Sequence, residues 1–173
     1  VHDRLCSIRQ FGSTIDSWGT NYKMTKVQAA VGLVQLRRLD QTNARRVQVA
    51  RERTELLKDV PGLILPYEPP DCGHVYYVYP MLVPPEWAGA KRDRLIQVLE
   101  ADYRIESWLA SAELYKTRGF YRELLAIKDG ELPISDEICE RIICNIIHAL
   151  LTREENEYIA AAIADVVERV AQE

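Results

Sequence analysis

Apolar positions recur at helical spacing along much of the chain, and the clearest run begins just after Thr25. Thr25 and Gln28 form a capping-box pattern, in which the hydroxyl and the amide satisfy free N–H groups of a first turn. Val27, Ala30, Val31, Leu33, Val34 and Leu36 follow. They make an apolar face wide enough to be buried on two sides. Gly32 costs about 1 kcal/mol relative to alanine inside a helix, so its presence predicts close approach of another backbone. The stretch 39–42 predicts a kink or short break. Helical spacing then returns over 43–59, rich in arginine, with Val47, Ala50, Leu56 and Leu57 facing inward until Pro61-Gly62 stops it.

The remainder alternates short β-type runs with helices. Residues 63–65 predict a short strand and 66–73 a proline-rich loop. Residues 74–83, HVYYVYPMLV, are β-branched and aromatic and predict a strand, with Pro80 marking an edge or a bulge. Residues 91–101 are amphipathic, with Leu95, Ile96, Val98 and Leu99 against Lys91, Arg92, Asp93 and Arg94. A short strand over 104–108 precedes a long loop over 109–132, with a small helix near 119–125. Pro133 suits the first turn of a helix running to about residue 142, and 144–147 predicts another strand. A second capping box, Thr152 with Glu155, opens a final helix carrying Ile159, Ile163, Val166, Val167 and Val170 on one face. Residues 1–20 show only weak periodicity and the turn formers Gly12, Ser13, Ser17 and Gly19. The pattern predicts an α+β fold: a long helical arm, then a small domain of about three antiparallel strands with helices packed on one side. The arm has too much apolar surface for a free helix, so it requires a partner, either more of the same chain or a second subunit.

At 173 residues the chain is long enough to bury a substantial core, and 47% hydrophobic with 28% charged residues is ordinary for a globular protein. No apolar run approaches the ~18 residues of a membrane span, and no basic-then-apolar leader opens the chain. The first residue is Val1, which reads as a piece of a longer or processed protein. The net charge of −4 argues against a dedicated nucleic-acid binder and is unevenly spread. Residues 21–60 carry nine basic and four acidic side chains, whereas 61–173 carry eleven and twenty. The basic segment is a solvated helix face or a surface turned toward an anionic ligand.

Catalytic motifs are scarce. There is no nucleophile elbow, no GxxxxGK[ST] and no GxGxxG. Cys6, Cys72, Cys139 and Cys144 form no CxxC pair; Cys144 and His148 are too few for a zinc site, and reduced, partly buried cysteines of a cytosolic protein are expected. The carboxylate pairs Asp136-Glu137 and Glu154-Glu155 sit at helix starts, where the macrodipole accounts for them. Residues 19–25, GTNYKMT, are different. They lie just before a helix N-terminus, where free N–H groups attract anions, and Asn21 and Lys23 add an amide donor and a charge. A phosphate fits this arrangement; so does a plain cap with a solvent-facing lysine.

The stretch GTNYKMTKVQAAVGLVQLRRLD resembles the motif of the DegT/DnrJ/StrS family of PLP-dependent sugar aminotransferases, with agreement at Gly19, Asn21, Tyr22, Met24, Gln28, Ala29, Ala30, Gly32, Gln35, Leu36, Leu39 and Asp40. Arg9-Gln10-Phe11-Gly12, Pro61-Gly62, the HVYYVY run from His74, Leu132-Pro133 with Ser135 and Glu137, and Ile147-His148 followed by Thr152 to Tyr158 are similar to further family segments. The resemblance covers nearly the whole chain but only the C-terminal part of the family.

The resemblance implies three parts: 1–20, the remnant of a large PLP-binding domain and its linker; 21–60, the long helical dimerisation arm; and 61–173, a C-terminal small α+β domain. It implies a cytoplasmic homodimer with shared active sites, moving an amino group from glutamate to a nucleotide-linked keto-sugar in cell-surface polysaccharide or amino-sugar biosynthesis. Asn21 reaches the cofactor phosphate of the neighbouring subunit and Lys23 assists, in place of the family's arginine. Lysine keeps the charge but loses the bidentate fork. His74 and Tyr77 are implied to lie near the substrate, Tyr77 standing where the family has a second histidine. Phe11 also replaces a histidine, and Asn145 to Ala149 lack the prolines of the family's ending. The Schiff-base lysine belongs to the N-terminal domain; none of Lys23, Lys26, Lys58, Lys91, Lys116 and Lys128 lies in its context. The chain alone is therefore expected to be inactive, to bind no PLP by itself, and to contain no catalytic or metal-binding residue. The competing expectation is a non-catalytic interaction module, a split or decayed subunit that only dimerises or completes another site.

Overall fold

The computed structural model describes residues 1–13, 18–109, 124, 126, 128 and 130–173. The small helix expected near 119–125 lies outside the described residues, apart from single positions. The chain divides into two compact units, Val1–Gln41 and Thr42–Glu173.

The first unit holds helix α1, His2–Arg9, and the first part of helix α2, Lys26–Leu57. Periodicity did not reveal α1 because its buried residue is Ser7, not an apolar side chain. The Ser7 carbonyl accepts the Gln10 N–H at 2.9 Å and the Gly12 N–H at 2.7 Å. Phe11 (φ 60) and Gly12 (φ 74) then turn the backbone through the left-handed region. α2 starts at the expected capping box: Thr25 Oγ1 accepts the Gln28 N–H at 3.3 Å, and Gln28 Oε1 accepts the Thr25 N–H at 2.8 Å. The break expected at 39–42 is absent. Leu39, Asp40, Gln41 and Thr42 include no glycine or proline, and their helix propensities cost only tenths of a kcal/mol each, roughly 0.2–0.7. Val27, Val31, Leu33, Val34, Leu36 and Leu39 are all exposed, and among the described residues nothing beyond the adjoining backbone of its own helix lies within 4 Å of a Cβ placed on Gly32.

In the second unit Val49, Ala50, Arg53 and Leu57 of α2 form one buried stripe, at the i, i+1, i+4, i+8 spacing of a helix face. Leu56, expected inward, sits at the margin of that stripe and is exposed on the rim of a cleft with Arg153 and Glu157. Strand β1, Tyr79–Leu82, is followed by a 3-10 turn at Pro85–Trp87, helix α3 (Ala90–Tyr103), strand β2 (Ser107–Trp108), helix α4 (Pro133–Arg141), strand β3 (Ile142–Asn145) and helix α5 (Arg153–Ala171). The sheet order is β1-β3-β2, antiparallel throughout, with Tyr79 and Ser107 both opposite Asn145. The 63–65 run contributes a single bridge, Ile64 with Leu82. Leu82 gives its N–H to Ile64 on the outer edge, so Pro80, two residues back, directs its missing donor to that edge, as expected of an edge strand.

The core joins Val49, Ala50 and Leu57 of α2, Tyr79 and Met81 of β1, Leu95, Val98 and Leu99 of α3, Ile143 of β3, and Ile159, Ile163, Val166, Val167 and Val170 of α5. Buried arginines tie the layers together through backbone carbonyls. Arg92, expected on the polar face of α3, is buried and donates to the carbonyls of Cys139 at 3.0 Å and Ile142 at 3.1 Å. It thereby caps the negative end of α4. Arg141 donates to the Val83 carbonyl at 2.9 Å and pairs with Glu137.

A helix N-terminus and a clasped tyrosine loop

Asn21 and Lys23 lie together in the first unit. Gln10 and Asn21 form an antiparallel bridge, and the Thr20 N–H reaches the Ile8 carbonyl at 3.0 Å while Tyr22 N–H reaches that of Arg9 at 3.1 Å. This hook needs Gly19: a Cβ there would stand 2.5 Å from the Gly12 nitrogen and 2.6 Å from the Ile8 oxygen. Asn21 Oδ1 accepts the Lys23 N–H at 3.3 Å, which leaves the amide Nδ2 as the group's free donor among the described residues. Asn21, Tyr22, Lys23, Met24 and Gln28 line an open concavity of about 450 Å³ at the start of α2. An amide donor and an ammonium beside a helix N-terminus suit a phosphate dianion.

His74 and Tyr77 lie in the second unit, in a loop that was expected to be strand. Tyr76 adopts φ 47, a left-handed backbone, so the ladder starts only at Tyr79. Tyr76 is buried, while Val75 and Tyr77 turn outward. His74 Nδ1 accepts the Tyr76 N–H at 2.9 Å, and the two rings meet edge to face with centroids 4.2 Å apart. Glu68 clasps this loop from outside: Oε1 accepts the His74 N–H at 3.0 Å and Oε2 pairs with Arg51 at 3.0 Å. The His74 N–H, and then Arg51, hold the Glu68 carboxyl below its usual range.

Below the loop, the Tyr79 hydroxyl bonds Thr54 Oγ1 at 2.8 Å, and burial pushes its pKa up to about 12. The Arg53 guanidinium lies 5.2 Å from the Tyr79 ring centroid and is itself lowered to about 10 by desolvation. Sequence reasoning missed Glu68, Tyr76 and Arg53. The spacing gave no signal for them, because Tyr77 and Tyr79 are two apart and fit one face of a period-2 strand.

None of the four cysteines is disulfide-bonded; Cys144 is buried, with its thiol pushed up to about 11 by desolvation, while Cys72 is exposed rather than partly buried. Among the described residues no group of three or more histidines, cysteines and carboxylates could hold a metal, and no helix is long and apolar enough to cross a membrane.

The model of the DegT/DnrJ/EryC1/StrS aminotransferase family matches residues 3–164. The chain belongs to this family. It is 26% identical over 153 residues to the spore coat polysaccharide biosynthesis protein SpsC of Bacillus subtilis, covering 88% of this chain and 39% of that protein. It is 31% identical over 142 residues to the dTDP-4-dehydro-2,3,6-trideoxy-D-glucose 4-aminotransferase of Saccharopolyspora spinosa, covering 81% of this chain and 34% of the enzyme. Among solved structures, Streptomyces venezuelae DesV in complex with a ketimine intermediate superposes with a TM-score of 0.81 at 26% identity, over 97% of this chain and 44% of that one. The chain thus spans about two-fifths of the length of the relatives it matches. Membership makes the sequence-level resemblance a finding, and the α+β architecture agrees with it.

Proposed function

We propose that the chain is the C-terminal portion of a PLP-dependent aminotransferase that moves an amino group from glutamate to a nucleotide-linked keto-sugar, in the cytoplasm. Family membership over residues 3–164, together with coverage of under half of each relative, carries this reading. In it residues 1–20 continue a PLP-binding domain, 21–60 form the dimerisation arm and 61–173 the small domain. The exposed apolar side chains from Val27 to Leu39 support an arm that is covered by a second subunit, and the open space over Gly32 leaves room for another backbone.

The donor set at the start of α2 fits the cofactor's phosphate. The Asn21 amide donates to a phosphate oxygen of the neighbouring subunit's cofactor, and Lys23 supplies a point charge beside it. PLP, when bound, supplies the electron sink for amino-group transfer. His74 and Tyr77 face the substrate and orient it. Because the Schiff-base lysine belongs to the domain that precedes this portion, the chain by itself is inactive.

The test is an assay of the intact protein with PLP, glutamate and a dTDP-linked keto-sugar, beside the 173-residue chain. The amino-sugar forms with the intact protein and not with the chain alone. No product from either would count against the aminotransferase reading and favour an interaction module.

A further inference from the structure

The loop that carries His74 and Tyr77 is held from two sides. Beneath it, the buried Tyr76 ring stacks 6.4 Å from Tyr79, which is fixed in turn by Thr54 and Arg53. A left-handed backbone at a non-glycine residue costs about 1–2 kcal/mol, so the buried ring and its hydrogen bond over-determine this conformation. Above it, the half-buried Glu68 carboxylate grips the His74 N–H with one oxygen and Arg51 with the other.

The hydrogen bond to Tyr76 also decides where the imidazole proton sits. His74 Nδ1 accepts the Tyr76 backbone N–H. A ring nitrogen that accepts an N–H carries no proton, so neutral His74 holds its proton on Nε2. Nε2 has no partner among the described residues, and the ring is exposed. The exposed edge of His74 therefore offers a donor, three residues before the exposed hydroxyl of Tyr77, which donates as well.

We propose that Glu68 and Tyr76 are positioning residues that fix His74 as an Nε2–H donor, and that His74 with Tyr77 binds an oxygen acceptor of the substrate, such as a carbonyl, hydroxyl or phosphate oxygen of a nucleotide-linked sugar. This rests on the reading of His74 and Tyr77 as substrate-facing. The tautomer can be tested without it.

The experiment labels the full chain with ¹⁵N-histidine and reads the imidazole nitrogens by long-range ¹H–¹⁵N correlation. His2, His74 and His148 are the only histidines, and loss of one set in His74→Gln assigns the signal. The expected result is an unprotonated, pyridine-like Nδ1 and a protonated Nε2 for His74, with Glu68→Ala moving the signals toward the averaged values of a free imidazole. A protonated Nδ1, or His74 signals unmoved in Glu68→Ala, overturns the proposal. In the intact enzyme, His74→Phe is expected to raise KM for the keto-sugar about tenfold with kcat little changed, as for loss of one hydrogen bond, and His74→Gln to restore most of it by supplying an N–H near the Nε2 position. Equal KM in all three proteins overturns the substrate contact. An intact protein with no transaminase activity sinks the aminotransferase reading, and with it the substrate contact, while the imidazole signals judge the tautomer separately.

Discussion

Arg53 donates from Nε to Asn156 Oδ1 at 2.9 Å, and both side chains are buried. Asn156 passes the link on, donating from Nδ2 to the Val49 carbonyl at 3.1 Å, while Arg53 Nη1 reaches the Ile146 carbonyl at 2.8 Å. One guanidinium thus joins α2, the segment after β3, and the first turn of α5. Breaking such a buried network by removing one partner strands the others, and Arg53→Ala is expected to lower stability by about 3–5 kcal/mol. Urea unfolding followed by circular dichroism measures it. A double-mutant cycle with Asn156→Ala should show non-additivity of about 0.5 kcal/mol or more. Simple addition would mean that the two side chains act independently.

Arg104 makes the opposite prediction. It ends α3 at φ 57 and ψ 31, with its N–H on the Glu100 carbonyl and the Ile105 N–H on that of Leu99. Glycine adopts this conformation without a Cβ penalty, so Arg104→Gly should stabilise the chain by roughly 0.5–1 kcal/mol. A raised melting temperature checks it.

Gly19 tolerates no side chain. The nearest atoms to a Cβ there are backbone, which cannot move aside as a flexible side chain would. Gly19→Ala is expected to release the Gln10–Asn21 bridge, seen as faster amide exchange at Thr20 and Tyr22, whose N–H groups bond α1. Unchanged protection at both amides would contradict this.

The Glu68 clasp gives a pH signature. Its carboxyl lies below the ordinary glutamate range in the folded chain, held there first by the His74 N–H and then by Arg51. A depressed carboxylate stabilises the fold fully above the unfolded value, and that contribution is lost as pH falls through the folded one. Stability of the wild type should therefore fall more steeply than that of Glu68→Gln as pH drops from about 5. Chemical unfolding across that acid range measures it, and parallel curves would mean that the clasp contributes no linkage.

Local features were legible where neighbours in sequence determine them. Both capping boxes, Thr25 with Gln28 and Thr152 with Glu155, form as read, and the apolar face of α5 is buried at every position named for it. The GTNYKMT segment stood out because helix-start chemistry is local. What stayed hidden depends on distant partners or on a single dihedral. The Arg92 carbonyl contacts lie 47 and 50 residues away, and charge alone placed that side chain in solvent. Tyr76 shortens β1 by one left-handed residue that composition made look extended. Pro80 was read correctly because a missing donor permits few positions in a sheet.

In the proposed reading, Asn21 helps to hold a cofactor phosphate. The most direct test is the PLP dissociation constant of the intact protein, compared between wild type and Asn21→Ala by equilibrium titration. A hydrogen bond to a charged phosphate is worth about 1.5–3 kcal/mol, so the constant should rise about tenfold or more. An unchanged dissociation constant in a folded Asn21→Ala protein would contradict the assignment.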